Sequence, residues 1–169
     1  GILYVLAVTS LGEIAVLMAG WSSNNKFALF GAMRAAAQLV SYEVPLVLAV
    51  VGVVIVTGSL SLTKIVEAQA VPFIFMQPLG FVIFLIAVSA ELNRTPFDLL
   101  EAESELVTGY HVEYSGMKFG MFYLAEYLSA FAFSAIISTL FLGGWQGPIL
   151  PSYVWLLLKI LFECFVFIR

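Results

Sequence analysis

The sequence predicts an all-α polytopic membrane protein: five transmembrane helices and a short amphipathic helix in a cytoplasmic loop. Three observations carry this expectation. First, 62% of residues are hydrophobic and 11% charged, with a mean hydropathy of +1.06, whereas a soluble domain holds roughly 25% charged residues. Second, five apolar runs approach or reach the ~20 helical residues that cross a bilayer core. Third, one stretch, 90–114, breaks the apolar pattern with six carboxylates, an arginine and the chain's one histidine.

In chain order the predicted helices cover about 2–20, 35–57, 71–90, 119–142 and 152–168, within one transmembrane domain spanning 1–169. Pro45, Pro72 and Pro78 read as kinks or boundaries, which membrane helices tolerate. The chain opens without methionine and its last apolar run stops at Arg169, so it reads as a fragment lacking both ends. The acidic loop is placed at 91–118. Alternating crossings put 21–34, 92–118 and Arg169 on one side, with Lys26, Arg34, Arg94, Lys118 and Arg169, against Lys64 alone in the opposite loops. The positive-inside rule then sets the acidic loop in the cytoplasm, or in the matrix of an organelle. Trp21 and Trp145 fall at the expected interfaces. The sequon Asn93-Arg94-Thr95 faces the wrong compartment on this topology and is a chance match.

Within the loop, Thr95, Pro96 and Asp98 supply an N-cap hydroxyl, a proline at the first helical position and an acid in the first turn. A helix is expected from Pro96 to just before Gly109, which suits a left-handed C-cap. At ~100° per residue Asp98, Glu101 and Glu105 share one stripe, opposite Leu99, Leu100, Leu106 and Val107. Glu103 falls inside the apolar arc, so it is paired, protonated or facing a polar cavity. A solvated helix face is the plainer reading of Asp98, Glu101 and Glu105.

Glu91, at the start of that stretch, and four further carboxylates, Glu13, Glu43, Glu126 and Glu163, lie in or at the ends of apolar runs, where a charge costs at least ~3 kcal/mol and marks a partner or a pathway. Counting ~1.5 Å per residue from the cytoplasmic ends puts Glu13, Glu43, Glu126 and Glu163 roughly 9–12 Å deep, with Glu91 at the rim. All five are thus expected in the cytoplasmic half. Lys159 lies one turn before Glu163 and is its expected i,i+4 partner. Thr9 and Ser10 offer hydroxyls to Glu13. Glu43 and Glu126 have no cation within a helical turn, which suits groups that titrate. Tyr123 shares a face with Glu126, although Tyr110, Tyr114, Tyr123 and Tyr127 also suit interface anchoring.

Much chemistry is excluded. No basic patch offers itself to nucleic acid. The single Cys164 can neither close an internal disulfide nor hold an iron–sulfur cluster, and reads as a small apolar helix residue. A metal site built on the lone His111 is improbable. No dinucleotide fingerprint, P-loop or Ser/His/Asp constellation is present, so no cofactor is expected to bind this chain. What remains suits a protein that holds an amphiphilic ligand at the membrane surface and moves protons.

The run Ala90-Glu91, Asn93-Arg94-Thr95-Pro96-Phe97-Asp98, Glu101, Glu103-Ser104-Glu105-Leu106-Val107, Gly109 and Glu113-Tyr114 closely resembles the H subunit (subunit 1) of proton-pumping NADH:quinone oxidoreductase, respiratory complex I. Gly20-Trp21-Ser22-Ser23-Asn24, Ser41-Tyr42-Glu43-Val44 and Ala125-Glu126-Tyr127 extend the resemblance over nearly the whole chain. The resemblance implies a non-redox membrane subunit of a proton-translocating enzyme, not catalytic alone. It also implies a quinone (ubiquinone) as substrate, and NADH, FMN and iron–sulfur clusters held by partner subunits of the peripheral arm. Further partners would be membrane-arm subunits and the lipid of a bacterial inner or mitochondrial inner membrane. It implies that Arg94, Asp98, Glu101, Glu103, Glu105 and Tyr123 line or support the quinone chamber, and that Glu43, Glu91 and Glu126, with Glu13, form a proton relay. The family's N-terminal helix pair and its last helix, which also line the quinone path, are absent from this sequence. Two alternatives remain: the homologous subunit of a membrane-bound hydrogenase or ferredoxin-dependent quinone reductase, and a stand-alone carboxylate-lined proton or cation transporter.

Overall fold

The computed structural model describes residues 1–94, 97, 113–147 and 151–168, of which Ile168 by its backbone alone. The helix expected from Pro96 to before Gly109, with Asp98, Glu101, Glu103, Glu105 and His111, lies outside the described residues. Among the described residues every regular element is a helix. α1 (Ile2–Thr9) and α2 (Leu11–Ser22) form one 21-residue span with an interruption at Ser10. α3 (Lys26–Thr57) follows. Two short helices, α4 (Leu62–Glu67) and α5 (Phe73–Met76), precede α6 (Pro78–Glu91). α7 (Met117–Leu140) and α8 (Ser152–Ile168) complete the described chain.

α3 starts at Lys26, upstream of its apolar run, because Asn25 caps it: the Asn25 side chain accepts from Phe27 N at 3.0 Å. Its 32 residues reach ~48 Å at 1.5 Å per residue, well beyond a core of ~30 Å, so its polar first turns stand clear of the apolar layer. Pro45 is carried inside the helix, and Gly58 ends it in the left-handed region (φ 64°). The run 71–90, expected as one helix, divides at Gln77 (φ −132°, ψ 61°). Pro78 occupies the first position of α6 and disfavours helical backbone in the residue before it. Gln77 mends the break by donating from Nε2 to the Gly52 carbonyl of α3 (3.1 Å).

α3 is the central helix, flanked by α2 and α6, while α7 pairs with α8. The α2–α3 seam is built from small residues: a side-chain carbon placed at Gly20 would collide with Ala32. Close approach of this kind is how membrane helices gain packing energy without a hydrophobic drive between them. Val50 and Val53 of α3, Phe84 and Val88 of α6 and Ile137 and Leu140 of α7 are buried together in one apolar cluster. Large side chains such as Ile55, Phe75 and Leu79 are instead turned outwards, as a surface meeting lipid allows.

The two ends of the bundle are tied differently. At one, Gln69 donates from Nε2 to Thr139 O (2.9 Å) and Leu140 O (3.0 Å), Gln146 donates to Val66 O (2.9 Å), and Ile2 N to Leu60 O (3.2 Å). At the other, which carries the acidic stretch, Asn25 Nδ2 donates to Glu113 Oε1 (2.8 Å), and the Tyr114 hydroxyl donates to Ala19 O (2.9 Å) and lies 2.6 Å from Ser22 Oγ. The segments 21–34 and 92–118, expected on one side, therefore meet directly.

Candidate functional site

Ser10 begins the site. Its backbone stays near helical (φ −59°, ψ −21°), and the interruption there turns its hydroxyl across to α3. Thr9 Oγ1 and Ser10 Oγ both approach Leu6 O, at 2.8 and 3.0 Å, and Ser10 Oγ donates to Glu43 Oε1. The hydroxyls expected to serve Glu13 thus serve a backbone carbonyl and a different glutamate, because the choice was between helices and not along one.

Glu13 from α2 and Glu43 from α3 are electrostatic neighbours, and Glu91, the last residue of α6, senses both. Three carboxyls from three helices therefore converge. Glu13 Oε1 and Glu91 Oε2 are buried without a hydrogen-bond partner among the described residues. The one ion pair among those residues lies elsewhere, so the cluster is rich in acceptors and short of donors. A proton shared within such a group satisfies it, since two like charges in apolar surroundings repel at a cost that water would otherwise absorb.

That ion pair joins Arg94 to Glu126. α6 ends at Glu91, and Asn93 takes a left-handed conformation (φ 50°) that asparagine tolerates better than most residues. Arg94 N then donates to Ser89 O at 3.0 Å, and its Nη2 sits 3.1 Å from Glu126 Oε1 on α7. Its guanidinium lies 5.5 Å from the Tyr127 ring centroid, within cation–π range. Glu126 has no cation within a helical turn, as the sequence indicates, but receives one through the fold. Tyr123 is half-buried and packs against Phe119, ring centroids 4.8 Å apart. The Tyr127 ring backs the ion pair.

Gln38 was not among the expected site residues. Its Nε2 donates to Ala90 O (3.0 Å) and Phe97 O (3.1 Å) and lies 3.4 Å from Asn93 Oδ1. It pins the start of the acidic stretch to α3, and Phe97 packs edge-on against Tyr42 at 5.1 Å. A lone glutamine in an apolar run was the available signal. Where Tyr114 meets Ser22, an open cleft of ≈ 600 Å³ is lined by Ser22, Ser23, Glu113, Tyr114, Met117 and Lys118.

Glu163 departs from expectation. It faces Ser138 of α7, two residues before that helix ends at Leu140. Because α7 starts at the acidic end, Glu163 lies in the opposite half of the bundle, not with the other four. Lys159 sets this register: its Nζ donates to Leu142 O (2.6 Å), Gly144 O (2.9 Å) and Gln146 O (3.1 Å) beyond the end of α7. The expected Lys159–Glu163 ion pair is not formed among the described residues.

A bundle of apolar helices with a carboxylate cluster at one end is a polytopic membrane protein, and among the described residues three helical spans are long and apolar enough to cross a bilayer, α6 being a shorter apolar helix. The family described as NADH dehydrogenase matches residues 1–169, and the chain belongs to that family. It is 63% identical over 161 residues to the H subunit of NADH-quinone oxidoreductase from Dehalococcoides mccartyi, covering 95% of this chain and 46% of that protein. It is 57% identical over 173 residues to the protein of that name from a Geobacillus species, covering 99% and 52%. The chain spans about half the length of these curated relatives.

Proposed function

We propose that the chain is part of the membrane subunit of a proton-translocating NADH:quinone oxidoreductase that forms one wall of the quinone chamber and links that chamber to proton movement. The carrying observation is the convergence of Glu13, Glu43 and Glu91 directly beneath the start of the acidic stretch. In this reading Arg94, Asp98, Glu101, Glu103, Glu105 and Tyr123 face or support the quinone, while Glu91, Glu43, Glu13 and Glu126 pass protons. Redox chemistry belongs to partner subunits that hold NADH, FMN and iron–sulfur clusters. This chain would move charge in response and bind no cofactor itself. The membrane is a bacterial plasma membrane or its organellar counterpart.

Ser10 gives the test its resolution. Glu43→Gln in the full-length protein of the assembled complex keeps size but removes the titratable group, so quinone reduction coupled to pumping should fall several-fold. NADH oxidation by artificial acceptors should be unchanged. Glu43→Asp should retain more pumping than Glu43→Gln. Ser10→Ala removes a hydrogen bond to an ionisable group, worth about 1.5–3 kcal/mol in general, and should impair pumping less than Glu43→Gln. Parental pumping by an assembled Glu43→Gln complex would exclude the relay.

A further inference from the structure

We propose that Glu163 and Ser138 form a proton-binding site in the half of the membrane opposite the Glu13–Glu43–Glu91 cluster, the proton being held on the Glu163 carboxyl. Glu163 is 7% exposed and Ser138 is fully buried. The carboxyl faces the serine hydroxyl across the α7–α8 seam, yet both Glu163 oxygens and Ser138 Oγ lack a well-formed hydrogen bond among the described residues. Two unpartnered polar groups thus share one apolar seam.

The arrangement decides which ligand fits. Lys159 is the one cation facing Glu163 from its own helix, and an ammonium has three donors. All three are spent on the carbonyls of Leu142, Gly144 and Gln146, so Lys159 contributes field but no hydrogen bond. From α7 the seam presents Ser138 and Ser134. Ser134 donates to Ala130 O (2.8 Å) and accepts from Cys164 Sγ (3.3 Å). α4, which also packs on α7, carries Lys64 and Glu67 at the exposed surface. A bare carboxylate here would be a charge buried at 7% exposure, with only the Ser138 hydroxyl as a donor and the field of Lys159 to offset its lost hydration. A hard cation would need about six oxygens, and the seam offers two carboxylate oxygens and two serine hydroxyls, that of Ser134 already bonded to Ala130 O and Cys164 Sγ. A proton alone completes the site: the acid O–H can donate to Ser138 Oγ while the Ser138 hydroxyl donates to the other carboxyl oxygen. The site stands independently of the role proposed for Glu43 and Glu126.

Infrared difference spectra of the assembled complex, parental against Glu163→Gln in the full-length protein, read the protonation directly. The expected result is one protonated-carboxyl C=O band at neutral pH, absent from Glu163→Gln and moved in frequency in Glu163→Asp. It should fade only as pH rises, and sodium added at fixed pH should leave it unchanged. Carboxylate bands in its place at neutral pH would overturn the proposal, as would loss of the band on adding sodium. Glutamine is the neutral isostere of the acid, so failure of Glu163→Gln to assemble would also overturn it.

Discussion

Arg94 and Glu126 pair across two separate elements, guanidinium to carboxylate at 3.1 Å, with Arg94 25% and Glu126 32% exposed. The left-handed turn at Asn93 aims the arginine, and α7 supplies its acceptor. The pair couples the start of the acidic stretch to a helix of the bundle.

Removing the arginine should therefore affect function more than folding. A partly exposed ion pair contributes at most about 1 kcal/mol, so Arg94→Met in the full-length protein should leave assembly and thermal stability near parental. Quinone reduction should fall while NADH oxidation by artificial acceptors persists. Arg94→Lys keeps the charge but not the guanidinium lying over the Tyr127 ring and should fall between the two. Equal loss of both activities would show an assembly defect instead.

The α2–α3 seam offers a stability test away from the carboxylates. Gly20→Ala brings a methyl group into collision with Ala32, and overpacking of this sort costs about 1–3 kcal/mol. The thermal midpoint of the assembled complex should drop. Ala32→Gly in the same chain should restore most of the loss, because it vacates the position the new methyl takes. A double variant no better than the single one would mean that the seam is not packed as described.

Sidedness is checked by chemical labelling. With Cys164 replaced by serine, single cysteines at Ala102 and at Ser61 should react with impermeant reagents from opposite faces of sealed vesicles. The acidic stretch should be on the cytoplasmic or matrix side, as the lysine and arginine distribution requires. Reaction of both from one face would invalidate the alternating arrangement of helices.

The sequence by itself determined the class and marked out the apolar runs with the carboxylates they carry. Burial of backbone polar groups in an apolar layer forces helices whatever their neighbours, and a carboxylate within such a span stands out because its cost does not depend on packing. Family membership was legible in the 90–114 stretch for the same reason: its polar residues interrupt an apolar chain in a specific order.

Tertiary structure decided every partnership. Ser10 lies closer in sequence to Glu13 yet donates to Glu43, Glu126 takes its cation from Arg94, and Lys159 bypasses Glu163 for three loop carbonyls. Sequence spacing reports only neighbours on one helix, whereas an unsatisfied polar group in an apolar bundle binds whichever donor or acceptor the adjoining helix presents. The depth of Glu163 follows the same rule: the reach of Lys159 to the carbonyls beyond α7 fixes how far α8 slides along its partner, and no count of residues from a helix end contains that distance.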